Sequence, residues 1–337
     1  MSTLTPVSHH SDIQSALACY ASVEADPADR ATASLQVLLQ DIYREPDKAI
    51  AWEASSLTGD GFPVEFAFTT ADNSLRYTCE ISTPLTAPKE RLTLALQRLK
   101  KLCAAMPPAA LLAQLKQIQA SSDSPMSLQY GTWVSGRHSL TGDSYKLYIE
   151  VPDGAEKTVP GQLKSLHIPY PKLANRAVQL RMLGYNLTSQ QLEPYFKVEQ
   201  LEAYHLPRLM APCGLSDRAA SLHRYLEQQY GYALPGKLPG DSVGFSYTLS
   251  PAGTPQIFTL FLSARVFWGG DASIRRRFIA SATAQGWDAS VYTHLTRPLD
   301  ARNTWATDHG LVGFSLLPNG AIIPSIGVRP PVTEPHQ

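Results

Sequence analysis

The 337-residue chain balances 29 Lys plus Arg against 29 Asp plus Glu, and 44% of its residues are hydrophobic. That supplies a sizeable core and leaves no global basic field for nucleic acid, so any anion site must be local. Its four cysteines, Cys19, Cys79, Cys103 and Cys213, show neither CxxC spacing nor histidine partners at zinc spacing, so they read as reduced core thiols and suit a cytosol.

No basic segment followed by an apolar run opens the chain, and no apolar stretch approaches about 20 residues. Neither a signal peptide nor a membrane-spanning helix is expected. Residues 10–50 are helical in character, with Ile13, Leu17 and Tyr20 on one face and Leu35, Leu38, Leu39 and Ile42 on another. The stretch from Gly59 to Ile81 then reads as a turn, a strand, a polar loop and a second strand. Alternation places Val64, Phe66 and Phe68 on one face and Glu65, Ala67 and Thr69 on the other. Past the loop, Leu75, Tyr77, Cys79 and Ile81 oppose Arg76, Thr78 and Glu80. Residues 88–118 are helical, broken at Pro107-Pro108.

A second hairpin runs from Tyr130 to Val151 around Thr141-Gly142-Asp143. Trp133, Ser135 and Arg137 alternate in its first strand, and Lys146, Tyr148 and Glu150 form the polar face of its second. The third pair, Val178 to Leu187 and Leu192 to Gln200, sets Tyr195 and Lys197 opposite Phe196 and Val198. A helical stretch over 201–230 precedes the fourth pair, Ser242 to Ser250 and Gln256 to Phe267. There Gly244, Ser246 and Thr248 face away from Val243, Phe245, Tyr247 and Leu249. A helix from Asp271 carries Arg275-Arg276-Arg277, which reads as a solvated face. The fifth pair, Gly310 to Leu317 and Ala321 to Val328, turns at Pro318-Asn319-Gly320 and sets Ser325, Gly327 and Arg329 against Ile326 and Val328.

Five consecutive ββ units separated by helices predict an α+β fold. Hairpins pair antiparallel, which argues against a parallel (β/α)₈ barrel. Ten strands suffice to close a barrel with room for ligands. Helices outside would cover the aliphatic faces and leave a polar, aromatic lumen. A single domain over residues 1–330 and a Pro-rich tail over 331–337 are expected.

Gly61-Phe-Pro-Val-Glu65, followed by Leu75-Arg-Tyr77, resembles the first strand pair of aromatic prenyltransferases of the dimethylallyltryptophan synthase type. Gly61, Pro63 and Glu65 match that family's Gly-x-Pro-x-Glu motif, Arg76 its following Arg, and Lys146-Leu-Tyr148 its Lys-x-Tyr strand. The resemblance implies the ten-stranded αββα prenyltransferase barrel, of a smaller bacterial type. Arg181-Met-Leu-Gly-Tyr185 keeps the Arg and Tyr of the family's Arg-x-Lys-x-Tyr but has Leu183 in place of the Lys. Tyr195 and Lys197 stand as substitutes. The fourth pair's Gln-x-Tyr is missing, and Ser325, Gly327 and Arg329 replace late tyrosines.

Prenyl transfer needs a compensated diphosphate, a shielded allyl cation and a base. Arg76, Lys146 and Lys197, joined by Arg181, Arg265 and Arg329, are candidates for the diphosphate. Tyr148 and Tyr195 are candidates for cation shielding, with Trp133 and Tyr185 for the acceptor pocket. Glu65 is the candidate base, expected to stay ionised among lumen cations. The alternative for Glu65 is a plain salt bridge to Arg76. No Asp-Asp-x-x-Asp cluster is present, so the implied chemistry requires no cofactor, with Mg²⁺ at most stimulatory. The expected partners are a prenyl diphosphate, dimethylallyl or geranyl, and a small indole-type acceptor. A phenol or peptide Tyr/Trp acceptor, and a non-catalytic barrel that binds a hydrophobic anion, remain as alternatives.

Overall fold

A computed structural model describes residues 9–103, 105–121, 128–234, 236–302 and 307–331. The tail expected over 331–337 lies, apart from residue 331, outside the described residues. The sheet is formed by β1 (Val64–Thr69), β2 (Leu75–Glu80), β3 (Thr132–Ser139), β4 (Gly142–Glu150), β5 (Val178–Asn186), β6 (Leu192–Glu199), β7 (Ser242–Leu249), β8 (Pro255–Ser263), β9 (His309–Leu316) and β10 (Ile322–Val328). Every strand pairs antiparallel with its neighbours in sequence, and β1 pairs with β10, so the ten strands close a barrel. This is the fold expected from the five hairpins. The order places all five hairpin turns at one end and the connections between hairpins at the other.

The alternating pattern gives the barrel two surfaces with opposite chemistry. Outward residues such as Phe66, Phe68, Tyr77, Leu147, Phe245 and Phe314 are buried against the helices. Tyr20, from helix His9–Ala21, stacks on Phe66 and Phe68 at 6.0 and 5.7 Å between centroids. The Tyr77 hydroxyl hydrogen-bonds with Ser34 of helix Ala25–Leu38 at 2.5 Å. Each large aromatic buried this way stabilises the shell by about 2–3 kcal/mol.

Gly61 shapes the entry to β1. It has φ 85°, and a side chain there would overlap the carbonyl of Glu53. Only glycine takes that backbone conformation without strain. Inward Glu80 is drawn out of the lumen instead. Its carboxylate is buried and accepts from Arg91 at 2.9 Å and Ser55 at 2.8 Å, which ties β2 to helix Pro88–Leu102. Among the described residues, no helix is long and apolar enough to cross a membrane.

Candidate active site

The inward faces of β2, β3, β4 and β6 gather the polar side chains. Arg76, Arg137, Lys146, Tyr148 and Glu193 line a cavity of about 1000 Å³, counting the space open to solvent at its mouth. Cross-strand register explains the grouping: Arg76 stands opposite Arg137, and Arg137 opposite Ser144.

Two arginines share one carboxylate at the hairpin end. Arg76 donates to Asp72 at 2.6 Å and to Ser74 at 3.0 Å, and Arg137 donates to the same groups at 3.1 Å each. Burial pushes the Asp72 carboxyl up, but Arg76, the Ser74 hydrogen bonds and Arg137 outweigh it and hold the acid below its ordinary range. Desolvation and the neighbouring Arg137 depress the Arg76 guanidinium, which Asp72 only partly offsets. The salt bridge to Glu65 that the sequence allowed is absent because Asp72 takes its place.

The second cluster lies deeper. Lys146 donates to Glu193 and, at 2.8 Å, to the Tyr195 hydroxyl. Its ammonium stands 5.1 Å from the Tyr148 ring centroid and 5.2 Å from that of Tyr195. Ser246 donates to the other oxygen of Glu193 at 2.6 Å. Burial raises the Glu193 carboxyl, yet the Lys146 charge and these hydrogen bonds bring it below its ordinary value. Glu193 in turn keeps Lys146 protonated against desolvation. The Tyr148 and Tyr195 rings meet edge to face at 5.9 Å.

Glu65 is the contrasting group. It pairs with Thr78, one inward step further from the hairpin turn than Arg76. Among the described residues its carboxyl makes no hydrogen bond or ion pair, and it rests against Gly310 and Gly327. Desolvation alone raises its pKa to about 7. The expectation that lumen cations would keep Glu65 ionised is met only in part, because Arg76 and Lys146 are already paired with Asp72 and Glu193 and do not offset the desolvation.

Other sequence candidates lie elsewhere. A register shift between Leu180 and Met182 reverses the faces of β5, so Met182, Gly184 and Asn186 stand opposite inward residues of β4. Tyr185 consequently points outward, into a cleft with Leu111, Leu166 and Leu249, away from the lumen. Arg181 sits on the bulge itself and pairs with Asp153. β8 ends at Ser263, whose hydroxyl caps helix Ala264–Trp268, so Arg265 lies on a helix and not on a lumen strand. Arg329 is buried beyond β10, with Asp60 at 2.5 Å, Asp12 at 3.6 Å and the Phe62 ring at 4.4 Å, and serves as an internal clamp. Lys197 sits at the connection end beside Asn175, Arg176 and Gln200, remote from Lys146 along the barrel. Trp133 faces inward but is stacked on Tyr130 at 3.7 Å.

Three groups join the site that were not singled out from sequence. Arg137 and Glu193 share strand parity with Trp133 and Tyr195, a signal that alternation carried. Asp72, in a turn, had no periodic signal at all.

No protein-family model matches the chain, and no curated protein sequence does. Solved structures do match it. The 5-dimethylallyl tryptophan synthase of Streptomyces coelicolor, in complex with DMASPP and Trp, superposes with a TM-score of 0.74 at 16% identity, over 97% of each chain. The 6-dimethylallyltryptophan synthase of Micromonospora olivasterospora gives 0.71 at 17% identity, over 96% of this chain and 98% of that one. AnaPT of Neosartorya fischeri gives 0.70 at 13%, over 96% and 94%. The chain thus has the closed ten-stranded barrel fold of the dimethylallyltryptophan synthases and related prenyltransferases.

Proposed function

We propose that the protein is an aromatic prenyltransferase that moves a dimethylallyl or geranyl group from its diphosphate to an indole-type ring. The observation that carries this reading is one lumen holding both paired cations and a carboxyl, Glu65, unpaired among the described residues and with its pKa raised to about 7. Two of the dimethylallyltryptophan synthases that share the fold are complexes with DMASPP and Trp.

In this reading the diphosphate replaces Asp72 as the partner of Arg76 and Arg137, with Lys146 adding a third cation. The C1–O bond of the donor breaks and its electron pair leaves with diphosphate, whose growing charge these groups stabilise. The Tyr148 and Tyr195 ring faces shelter the allyl cation from water. A ring carbon of the acceptor bonds to C1, and the displaced ring proton passes to the Glu65 carboxylate. Charge compensation by side chains supports catalysis without a required metal, Mg²⁺ at most stimulating it. Free cysteines throughout support a cytosolic site of action. A non-catalytic anion-binding barrel would use the cations but has no role for a half-buried carboxyl that is unpaired among the described residues.

The test is mass spectrometry after incubation with dimethylallyl or geranyl diphosphate and a panel of tryptophan, simple indoles, indole dipeptides and phenols, with and without EDTA. An indole adduct of prenyl mass that survives EDTA is the expected result. Adducts on phenols alone would move the acceptor class. Absence of both donor binding and turnover would overturn the reading in favour of a binding barrel.

A further inference from the structure

The lumen has two unlike walls. The wall formed by β2, β3, β4 and β6 carries the charges: Arg76, Arg137, Lys146 and Glu193, with Lys197 at the connection end. The wall formed by β7, β8, β9 and β10 carries none. Alternation and register place Gly244, Ser246 and Thr248 inward from β7, and Ile257, Thr259 and Phe261 inward from β8. Opposite them, β9 and β10 contribute Gly313, Ser315, Ser325 and Gly327. None of these inward positions is ionisable. Several hydroxyls are also engaged: Thr259 hydrogen-bonds with Ser315 at 2.9 Å, and Ser246 is held by Glu193.

Phe261 forms the floor of this wall. Its ring packs in the space left by Gly313 and Gly244, where a Cβ would come within 3.1 and 3.7 Å of it. The same ring stands 5.9 Å from that of Tyr195, so its position links the aromatic lining of the charged wall to the uncharged one. Glu65 borders the uncharged wall through Gly327 of β10 and Gly310 of β9. The base therefore faces a surface of small, neutral side chains with an aromatic floor.

We infer that the acceptor is an aromatic compound whose ring substituents are uncharged, such as an indole with a neutral side chain, and that a free amino acid is a poor substrate. This rests on the prenyltransferase reading. A zwitterion needs a partner for each charge, or pays the desolvation of an unpaired ion. With the donor on Arg76 and Arg137, with Lys146 and Glu193 satisfying each other, and with Lys197 of β6 beside Asn175, Arg176 and Gln200 at the connection end, a carboxylate finds no cation on β7 to β10. An ammonium finds only Glu65, and by pairing with it would take the base out of use. A neutral ring meets neither cost and gains a stacking surface on Phe261.

Four acceptors with one indole ring separate the possibilities: tryptophol (neutral), tryptamine (cation), indole-3-propionate (anion) and L-tryptophan (zwitterion). Each would be assayed with dimethylallyl diphosphate, following adduct and released diphosphate in parallel. The expected result is a kcat/KM for tryptophol roughly tenfold or more above that of each charged analogue. L-Tryptophan equal to or better than tryptophol overturns this inference while leaving the prenyltransferase reading intact. Diphosphate release with no adduct from tryptophol also overturns it, and leaves the donor site standing. No diphosphate release with any acceptor overturns both.

Discussion

The carboxyl group of Glu65 lies against the Cα of Gly327: a methyl group built there would stand 2.5 Å from Cδ and 2.8 Å from Oε2. Gly310 closes the niche from β9, where a Cβ would come within 2.5 Å of Oε1. The two glycines make room for a carboxyl group that has no polar partner among the described residues. Gly327→Ala should push Glu65 off its position while the outward core around Val328 and Ile326 stays packed. Prenyl transfer should fall about 10–100-fold, as expected for a misplaced catalytic group. Steady-state kinetics beside a circular-dichroism spectrum checks this; unchanged turnover in a folded variant would remove Glu65 from the reaction.

The raised pKa of Glu65 sets a pH dependence. As a base it must be ionised, so kcat/KM should rise with pH through about 7 and level off above it. Folding stability should run the other way. The folded state holds the proton more tightly than the unfolded chain, so stability falls as pH climbs from the ordinary carboxyl range to about 7 and stays reduced above. Glu65→Gln should abolish most turnover, leave diphosphate affinity nearly unchanged, and melt higher than the parent protein at pH 8 but not at pH 4. Thermal melts at both pH values, together with rate profiles, test the two signs at once.

Asp72 competes with the donor in the proposed mechanism, because it occupies both Arg76 and Arg137. Asp72→Asn keeps an acceptor for the Ser74 backbone N–H but removes the charge. Binding of a prenyl thiolodiphosphate should tighten roughly tenfold at low salt, with the gain shrinking as ionic strength rises. Calorimetric titration measures it. Weaker binding in the variant would show that Asp72 orients the arginines and does not obstruct them.

Lys146 and Glu193 should fail separately and recover together. Removing one member leaves the other charged and partly desolvated, so Lys146→Met and Glu193→Gln should each cost about 1–3 kcal/mol of stability. The double variant should regain a large part of that. Denaturant unfolding of the full cycle gives the coupling, and simple additivity would contradict the pairing described here. Lys146→Met should also weaken donor binding, a loss the double variant does not restore.

How far the site was readable depended on what kind of information each residue carried. Strand parity is local, and it was enough to place Glu65, Arg76, Lys146, Tyr148 and Tyr195 on the lumen face, and Phe66, Tyr77 and Phe245 on the helix-covered one. Five hairpins in succession were enough to imply a closed antiparallel barrel, since each pairs with the next and only the ends remain to be joined. Parity breaks where the chain inserts or loses a residue. One bulge at Arg181 turned Tyr185 outward, and the early end of β8 moved Arg265 onto a helix. Partnership is not local at all. That Lys146 is held by Glu193 from two strands away, that Arg329 is locked by Asp60, and that Glu65 has no partner among the described residues follow from barrel closure. Closure brings β1 beside β10 and removes water from groups whose pKa and charge state then depend on whichever neighbours the three-dimensional packing supplies.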